Sequence, residues 1–242
     1  MAGTVTPYHD PTSGKKQQVE KMFNNIASRY DLMNTLLSAG IHKRWRKKAI
    51  NLLSEKKPRI ILDLATGTGD FAIEAMKLHP DKIIAADISE GMMEVGKEKV
   101  KKLGLDQKIF FQKGDSEALP FGENTFDAIT VGFGVRNFED LLKGLQNMHR
   151  VLKPGGIAVI LEFSRVRKFP VKQFYNFYFR YITPLIGKMF TKDRSAYTYL
   201  PESVNAFPDG KDFESILQQA GFRETRARLL SFGIATIYTA VK

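Results

Sequence analysis

Two kinds of apolar pattern alternate along this chain, and the alternation predicts its elements. Val19, Met22, Phe23 and Ile26 fall at i, i+3, i+4 and i+7, one face of a helix. A second helical stretch surrounds Trp45, Ala49, Leu52 and Leu53, so residues 17–57 read as a helical cap ahead of the first strand. Short runs rich in Ile, Leu and Val then predict strands at 60–64, 82–87, 108–112, 126–132 and 157–163. Helical periodicities lie between them. Phe71, Ile73, Ala75, Met76 and Leu78 follow the first strand, and Ser89 with Glu90 opens a segment after the second. Phe138, Leu141, Leu142, Leu145, Met148 and Leu152 follow the fourth, in a helix expected to open at 137–140 and to stop at Lys153-Pro154-Gly155-Gly156. Strands alternating with helices imply parallel pairing and right-handed crossovers. Nearer the C-terminus, Pro201 and Pro208 mark 195–210 as an ordered loop. Asp212, Phe213, Ile216, Leu217 and Ala220 predict a helix capped by Gly221, and 223–230 with 234–241 read as a closing strand pair. Residues 1–16, polar and carrying Pro, Gly and Ser, are expected to be disordered.

The first strand organises the rest. It runs into Gly67-Thr68-Gly69 and then a helix, the opening of a nucleotide site. Residues 67–72 fit G-x-G-x-x-G/A, a weak match because many turns carry two glycines. The nearby acids sort the ligands. A pyrophosphate would sit against the first turn of the helix, and Asp70 stands there. Two like charges about 4 Å apart cost about 4 kcal/mol at an effective dielectric of about 20. A cationic ligand with an amino group is favoured instead, and S-adenosylmethionine (AdoMet) carries a sulfonium and an ammonium and no phosphate. Asp87 ends the second strand, 18 residues past Gly69, where a carboxylate accepts ribose hydroxyls. Gly114-Asp115-Ser116 follows the third strand and offers Asp115 or its neighbouring backbone to the adenine amino group. Any one of these acids alone is better explained as an N-cap or a solvated loop residue. Asp63, Asp87 and Asp115 at three successive strand ends reverse that, because strand C-terminal ends converge on the ligand crevice of an open α/β sheet.

Length and composition narrow the picture. At 242 residues the chain makes one elaborated domain. It has no cysteine, which removes disulfide and thiolate chemistry, and its four histidines (9, 42, 79, 149) lack ligand spacing, so no metal site is expected. Neither a secretory leader nor a run of about 18 apolar residues is present, so a cytoplasmic protein is expected. The balance of 37 basic against 26 acidic residues, a net charge of +11, raises nucleic acid as a partner. Its distribution says more. Residues 163–192 hold seven basic side chains (Arg165, Arg167, Lys168, Lys172, Arg180, Lys188, Lys192), no acid, and nine aromatics that include Phe174, Tyr175, Phe177, Tyr178, Phe179 and Tyr181. That mixture suits an interfacial surface or a lid over an apolar ligand. A core-packed helix with a solvated basic face and a stack for single-stranded RNA are the alternatives. Lys43, Arg44, Arg46, Lys47 and Lys48 make the cap basic too, as a solvated face or a headgroup contact.

Residue by residue, the chain resembles the class I AdoMet-dependent methyltransferases. Their acid-x-G-x-G-x-G pattern reads Asp63-Leu64-Ala65-Thr66-Gly67-Thr68-Gly69, with Ala65 in place of the first glycine. GTGD, DSEALPF at 115–121, TFDAITVGFGVRNF at 125–138 and YLPESVNAFPDG at 199–210, with YDLMN and HKRWR near the front, are similar to the ubiquinone/menaquinone biosynthesis C-methyltransferases. The similarity runs from about Phe23 to the C-terminus. It implies a single α/β domain over 1–242, Rossmann-like, with a mostly parallel doubly wound sheet, an antiparallel C-terminal strand, the N-terminal cap, and an aromatic-basic helical insert or lid at 163–209. It implies AdoMet as methyl donor, held by Asp63, Ala65, Gly67, Thr68, Gly69, Asp87, Ile88, Asp115, Ser116 and Gly132. The implied substrate is a polyprenylated quinol, demethylmenaquinol first and a ubiquinone precursor next, with no nucleic-acid partner. A homodimer is compatible with it.

A ring carbon attacks a methyl group only when its hydroquinone oxygen is deprotonated or strongly polarised, so the reduced quinol is required. Gly134-Val135-Arg136-Asn137 follows the fourth strand, which makes Arg136 the candidate to stabilise the phenolate and Asn137 to orient it. A salt bridge to a loop carboxylate such as Glu139 is the competing role for Arg136. Arginine stays protonated, so Tyr30 or a water would carry the proton. His42 is a second base candidate by its ordinary pKa. A buried phenol with a backbone partner is the competing role for Tyr30. Each isoprene unit transfers about 4 kcal/mol of apolar free energy, at about 0.8 kcal/mol per carbon group. The tail is therefore expected to stay partly in lipid, with 163–192 and the basic cap as lid and as contact with the inner face of the membrane. An RNA methyltransferase and a non-catalytic AdoMet- or dinucleotide-binding module are the competing functions.

Overall fold

The computed structural model describes residues 5–178, 181 and 195–242. Residues 1–4 of the segment expected to be disordered, and Phe179, Arg180, Lys188 and Lys192 of the aromatic-basic segment, lie outside the described residues, as does the side chain of Phe174. Seven strands form one sheet: β1 (Ile60–Leu64), β2 (Lys82–Asp87), β3 (Ile109–Lys113), β4 (Phe126–Gly132), β5 (Leu152–Phe163), β6 (Arg223–Leu230) and β7 (Ala235–Val241). Their order is β3-β2-β1-β4-β5-β7-β6, with β1 to β5 parallel and β7 inserted antiparallel between β5 and β6. This is the mostly parallel, Rossmann-like sheet with an antiparallel C-terminal strand that the sequence led us to expect.

Period-two alternation explains the layers. Leu62, Leu64, Ile129, Val131, Ala158 and Ile160 point to one face, covered by α6 (Leu141–Val151) and α9 (Lys211–Gln219). Ile61, Ala128, Val159, Leu161 and Ile237 point to the other, covered by α3 (Ile41–Asn51), α4 (Asp70–Ala75) and α5 (Glu90–Lys102). Leu145, Met148 and Val151 of α6 are fully buried, each worth about 1.5–3 kcal/mol. At the C-terminal edge, Leu64 of β1 pairs with Ala86 of β2 and Val131 of β4, so three strands end level with one another. The cap is α1 (Lys15–Ile26), α2 (Tyr30–Leu37) and α3, and the insert contributes α7 (Val171–Phe177) and α8 (Ser195–Ala206).

Four expectations need correction. Residues 5–14 are ordered against α1, because the buried Gln18 amide accepts the Tyr8 N–H at 3.0 Å and donates to the Asp10 and Ser13 carbonyls at 2.8 Å each. The helix after β4 begins at Leu141, not at 137–140: the Asp140 carboxylate caps the Lys143 N–H at 3.0 Å, and Phe138 precedes it in an extended conformation. Phe138 still packs on that helix, since a Cβ at Gly144 would lie 2.5 Å from its ring. The same helix stops before the Pro-Gly-Gly, because buried Leu152 already pairs with Phe126 as the first residue of β5. Finally, 195–206 is helical with Pro201 inside it. Burial of Tyr199, Ser203 and Val204 outweighs a proline cost of about 3 kcal/mol.

Candidate active site

β1 delivers the chain to a turn in which Ala65, Gly67 and Gly69 take φ of +53°, +56° and +78°. Glycine adopts such angles freely, whereas Ala65 does so at about 1–2 kcal/mol. The Asp87 carboxylate fixes this turn. Gly67 N–H donates to Oδ2 at 2.8 Å and Ser89 N–H to Oδ1 at 2.8 Å, which ties the glycine turn to the start of α5. A carboxylate has about four acceptor sites, so it keeps capacity for a ligand hydroxyl. Burial raises the pKa of this carboxyl, against the hydrogen bonds it accepts.

Asp63 does not reach the crevice. It shares the parity of Ile61 and points into the layer beneath α4, fully buried, where Thr66 Oγ1 donates at 2.5 Å, Thr130 Oγ1 at 2.7 Å and Ala72 N–H at 3.2 Å. It braces the turn from below. Gly69 is likewise a packing residue, since a Cβ there would lie 2.9 Å from the Phe111 ring. Burial pushes the Asp63 pKa up to about 6 from 3.8. Between those values the folded state holds a proton that the unfolded chain releases, so the contribution of Asp63 to stability falls as pH rises through that window. Asp63→Asn has no such term. We therefore expect the stability of the unmodified protein relative to Asp63→Asn to drop by about 2 kcal/mol between pH 4 and 7, read from urea midpoints. A pH-independent difference would reject this account.

Two cavities meet at the turn, with Ala65, Gly67 and Gly132 in both walls. The first takes in Asp87, Ile88, Asp115, Ser116 and Asn137. Its carboxylates suit hydroxyl and amino groups, Val19 and Met92 offer an apolar wall for a ring, and its one cationic lining residue among those described is Lys16. That set of acceptors fits an adenosine and gives a pyrophosphate little to bind. Lys16 Nζ lies 2.6 Å from Asp115 Oδ2, so α1 lies across the end where adenine is expected. The second cavity encloses about 830 Å³ and is mostly apolar, with Thr68, His42 and Arg136 in its wall. Tyr30 lines both. Leu36 of α2 and Phe177 of α7 line the second cavity and are also 41% and 57% exposed, which locates its mouth between those helices. The Tyr178 hydroxyl spans the gap to the Leu37 carbonyl at 3.0 Å.

Arg136 pairs with Glu162, not Glu139. Its Nη1 lies 2.8 Å from Glu162 Oε1 and 2.5 Å from the Phe133 carbonyl, and its Nε lies 3.3 Å from Ser203 Oγ. Among the described residues Nη2 has no protein acceptor. Glu162 is fully buried, and burial raises its pKa against the pull of Arg136. Asn137 is fixed on both ends, its Nδ2 donating to the Phe133 carbonyl at 3.4 Å and its Oδ1 accepting from the Tyr199 hydroxyl at 3.1 Å. Burial raises the Tyr30 pKa, so its phenol stays protonated. His42 is buried beside Ser38, 2.5 Å from Nδ1 to Oγ, and burial lowers its pKa to about 4, which makes it a poor proton acceptor.

The sequence reading missed several contacts. Lys15 Nζ donates to the Arg136 and Phe138 carbonyls at 2.9 and 2.8 Å, and burial lowers its pKa to about 8. Asp70, expected to stand open to a ligand cation, is ion-paired with Arg46 and Lys99. Arg165 and Arg167, counted toward an interfacial surface, both bind the buried Asp209 carboxylate at 2.7 Å. A legible signal existed only for Glu162, an acid inside the apolar run of β5. The others rest on pairings far apart in sequence.

The sequence profile of the ubiE/COQ5 methyltransferase family matches residues 11–242. A demethylmenaquinone methyltransferase of Bacteroides fragilis is 52% identical over 240 residues, covering 98% of this chain and 97% of its own. A ubiquinone/menaquinone biosynthesis C-methyltransferase UbiE of Geobacter sulfurreducens is 44% identical over 230 residues, covering 94% and 90%. Among solved structures, a SAM-dependent methyltransferase of Thermotoga maritima, a possible histamine N-methyltransferase, superposes with a TM-score of 0.63 at 20% identity, over 92% of this chain and 98% of its own. That likeness concerns the fold.

Proposed function

This chain belongs to the ubiE/COQ5 methyltransferase family, and from that premise we propose that it C-methylates a polyprenylated quinol with AdoMet as methyl donor, demethylmenaquinol ahead of a ubiquinone precursor. The 52% relative carries the demethylmenaquinone name and sets that order. The observation that carries the site reading is the large apolar cavity that joins the adenosine crevice at Ala65, Gly67 and Gly132, with Arg136 in its wall. AdoMet supplies, when bound, an electrophilic methyl group on sulfur. The residues do the rest. Asp87 and Asp115, with Ile88 and Ser116, hold the adenosine. The free Nη2 edge of Arg136 stabilises the quinol oxygen as it loses its proton, which pushes electron density onto the adjacent ring carbon. Asn137, fixed by Tyr199, orients the ring. Tyr30, protonated and shared by both cavities, relays the proton to water, and His42 serves as a polar wall. Closing the site in apolar side chains keeps water away from the sulfonium.

The tail leaves between Leu36 and Phe177. Leu32, Phe169 and Tyr181 are further exposed apolar side chains on the same two segments, and Lys43, Arg44 and Lys47 of α3 are exposed cations for anionic headgroups. Among the described residues no helix is long and apolar enough to cross a membrane, so the contact in this reading is peripheral. The test uses AdoMet labelled on its methyl group with demethylmenaquinol, reduced or oxidised, in detergent, neutral vesicles or anionic vesicles. Label is expected in the organic phase only with the reduced quinol, and faster in anionic than in neutral vesicles. Label transfer to the oxidised quinone, or to added RNA, would reject the substrate reading. Equal rates in the two vesicle types would reject the membrane contact alone.

A further inference from the structure

Lys15 stands where simple rules would not put a cation. It is the first residue of α1, a helix with no acidic side chain in its first turn and no side-chain cap, so its charge opposes the helix dipole. It is half-buried, and the Arg136 guanidinium is close enough to repel it. Burial first and Arg136 second lower its pKa to about 8, while the carboxyl groups of Glu139 and Glu117 draw it the other way. Several local conflicts at one residue mark a functional placement. The chemistry above gives Lys15 no part.

Its contacts supply one. Lys15 Nζ donates to the Arg136 carbonyl at 2.9 Å and to the Phe138 carbonyl at 2.8 Å, one on each side of Asn137. The short turn Val135–Asn137 carries both groups assigned to the quinol. Its own backbone bonds run from the Asn137 N–H to the Gly134 carbonyl and from the Phe138 N–H to the Val135 carbonyl, so the next carbonyls take their donor from the cap. On the sheet side, Glu162 accepts the Arg136 backbone N–H at 3.4 Å and its Nη1 at 2.8 Å. We propose that Lys15 is a positioning residue for methyl transfer, clamping the turn after β4 against Glu162 so that Arg136 stays at the larger cavity and Asn137 at the smaller one. The proposal rests on the reading of Arg136 as the group that meets the quinol oxygen. An ammonium suits the task because it offers three donors and no acceptor, and its bonds are about twice as strong as those of a neutral donor. Lys16, the next residue, reaches Asp115, so α1 fixes the adenosine side with one lysine and the quinol side with the other.

The test is the single-turnover rate with reduced quinol and saturating AdoMet, in detergent, from about pH 6.5 to about pH 9.5, for the unmodified protein, Lys15→Met and Lys15→Arg. Lys15→Met keeps an unbranched stem without donors. It is expected to be about thirtyfold slower at pH 7, since a small misplacement of a reacting group costs up to about a hundredfold, with AdoMet affinity within about threefold. That gap should narrow as pH rises through 8, because the unmodified protein then loses the same charge and a neutral amine makes weaker bonds. Lys15→Arg keeps its cation at every pH, so it should start within about fivefold of the unmodified protein and gain on it above pH 8. A role confined to stability gives neither pattern. A folded Lys15→Met with the unmodified rate, or with a loss that is constant across pH, overturns the proposal. If Lys15→Met does not fold, Lys15→Arg decides alone, and a flat ratio to the unmodified rate across pH 8 overturns it. Arg136→Lys, run beside them, separates the two readings. Undiminished turnover in Arg136→Lys removes the proposal together with the role of Arg136, whereas a slow Arg136→Lys beside undiminished Lys15 variants removes Lys15 only.

Discussion

Asp87→Asn is expected to raise the dissociation constant for AdoMet about a hundredfold. The carboxylate already accepts Gly67 N–H and Ser89 N–H, one on each oxygen, and Asp87 lines the smaller cavity. Two ribose hydroxyls donating to it are hydrogen bonds to a charged acceptor, at about 1.5–3 kcal/mol each. Losing about 3 kcal/mol in all is about two decades of affinity. The amide is a worse replacement than its shape suggests. Whichever way it turns, its NH2 faces a backbone N–H, donor against donor, so the glycine turn loosens as well. Calorimetry with AdoMet, and circular dichroism to follow the fold, separate the two effects. A change in affinity below about threefold in a folded variant would remove Asp87 from the site.

What could be read from the sequence followed from local pattern. β2 and β4 have the predicted bounds because a short β-branched apolar run flanked by turn residues suits a strand buried on both faces, and Asp87 was legible as a residue at such a strand's end. Asp63 was misplaced although parity was available: it lies two residues from Ile61 and must share its face. Pro201 was given a local meaning that tertiary burial of Tyr199 and Val204 overrides. The ion pairs were out of reach for a different reason. Arg46 with Asp70, Lys99 with Asp31 and Lys16 with Asp115 join the cap to the sheet across 24 to 99 residues, and each side chain alone is one more charge on an amphipathic helix or loop. The cap as a covering element was legible; which of its cations turn inward depends on how it docks.

The largest effect on turnover is expected at Arg136, and the choice of variant decides whether it can be read. Arg136→Ala leaves Glu162 fully buried without its cation, and a buried ion stripped of its partner costs about 3–5 kcal/mol. Glu162 would meet that cost by taking a proton. Its folded pKa, already raised by burial, would then lie further above its unfolded value of 4.5. The folded state would hold the proton over a wider window, so the stability of Arg136→Ala should fall as pH rises through that window, more steeply than that of the unmodified protein. Lost activity in that variant would be ambiguous. Arg136→Lys keeps a cation beside Glu162 and gives up the planar fork, whose Nη2 has no protein acceptor among the described residues, in a side chain that lines the larger cavity. Removing one preorganised donor from a developing oxyanion costs about 10²–10³ in turnover, and that is the loss expected for Arg136→Lys, with AdoMet affinity within about twofold and thermal midpoint nearly unchanged. If Arg136 only anchors the loop after β4 through Glu162 and the Phe133 carbonyl, the lysine should do the same and turnover should hold within about threefold. Single-turnover rates with reduced substrate distinguish the two, because they isolate the methyl-transfer step from product release into the membrane.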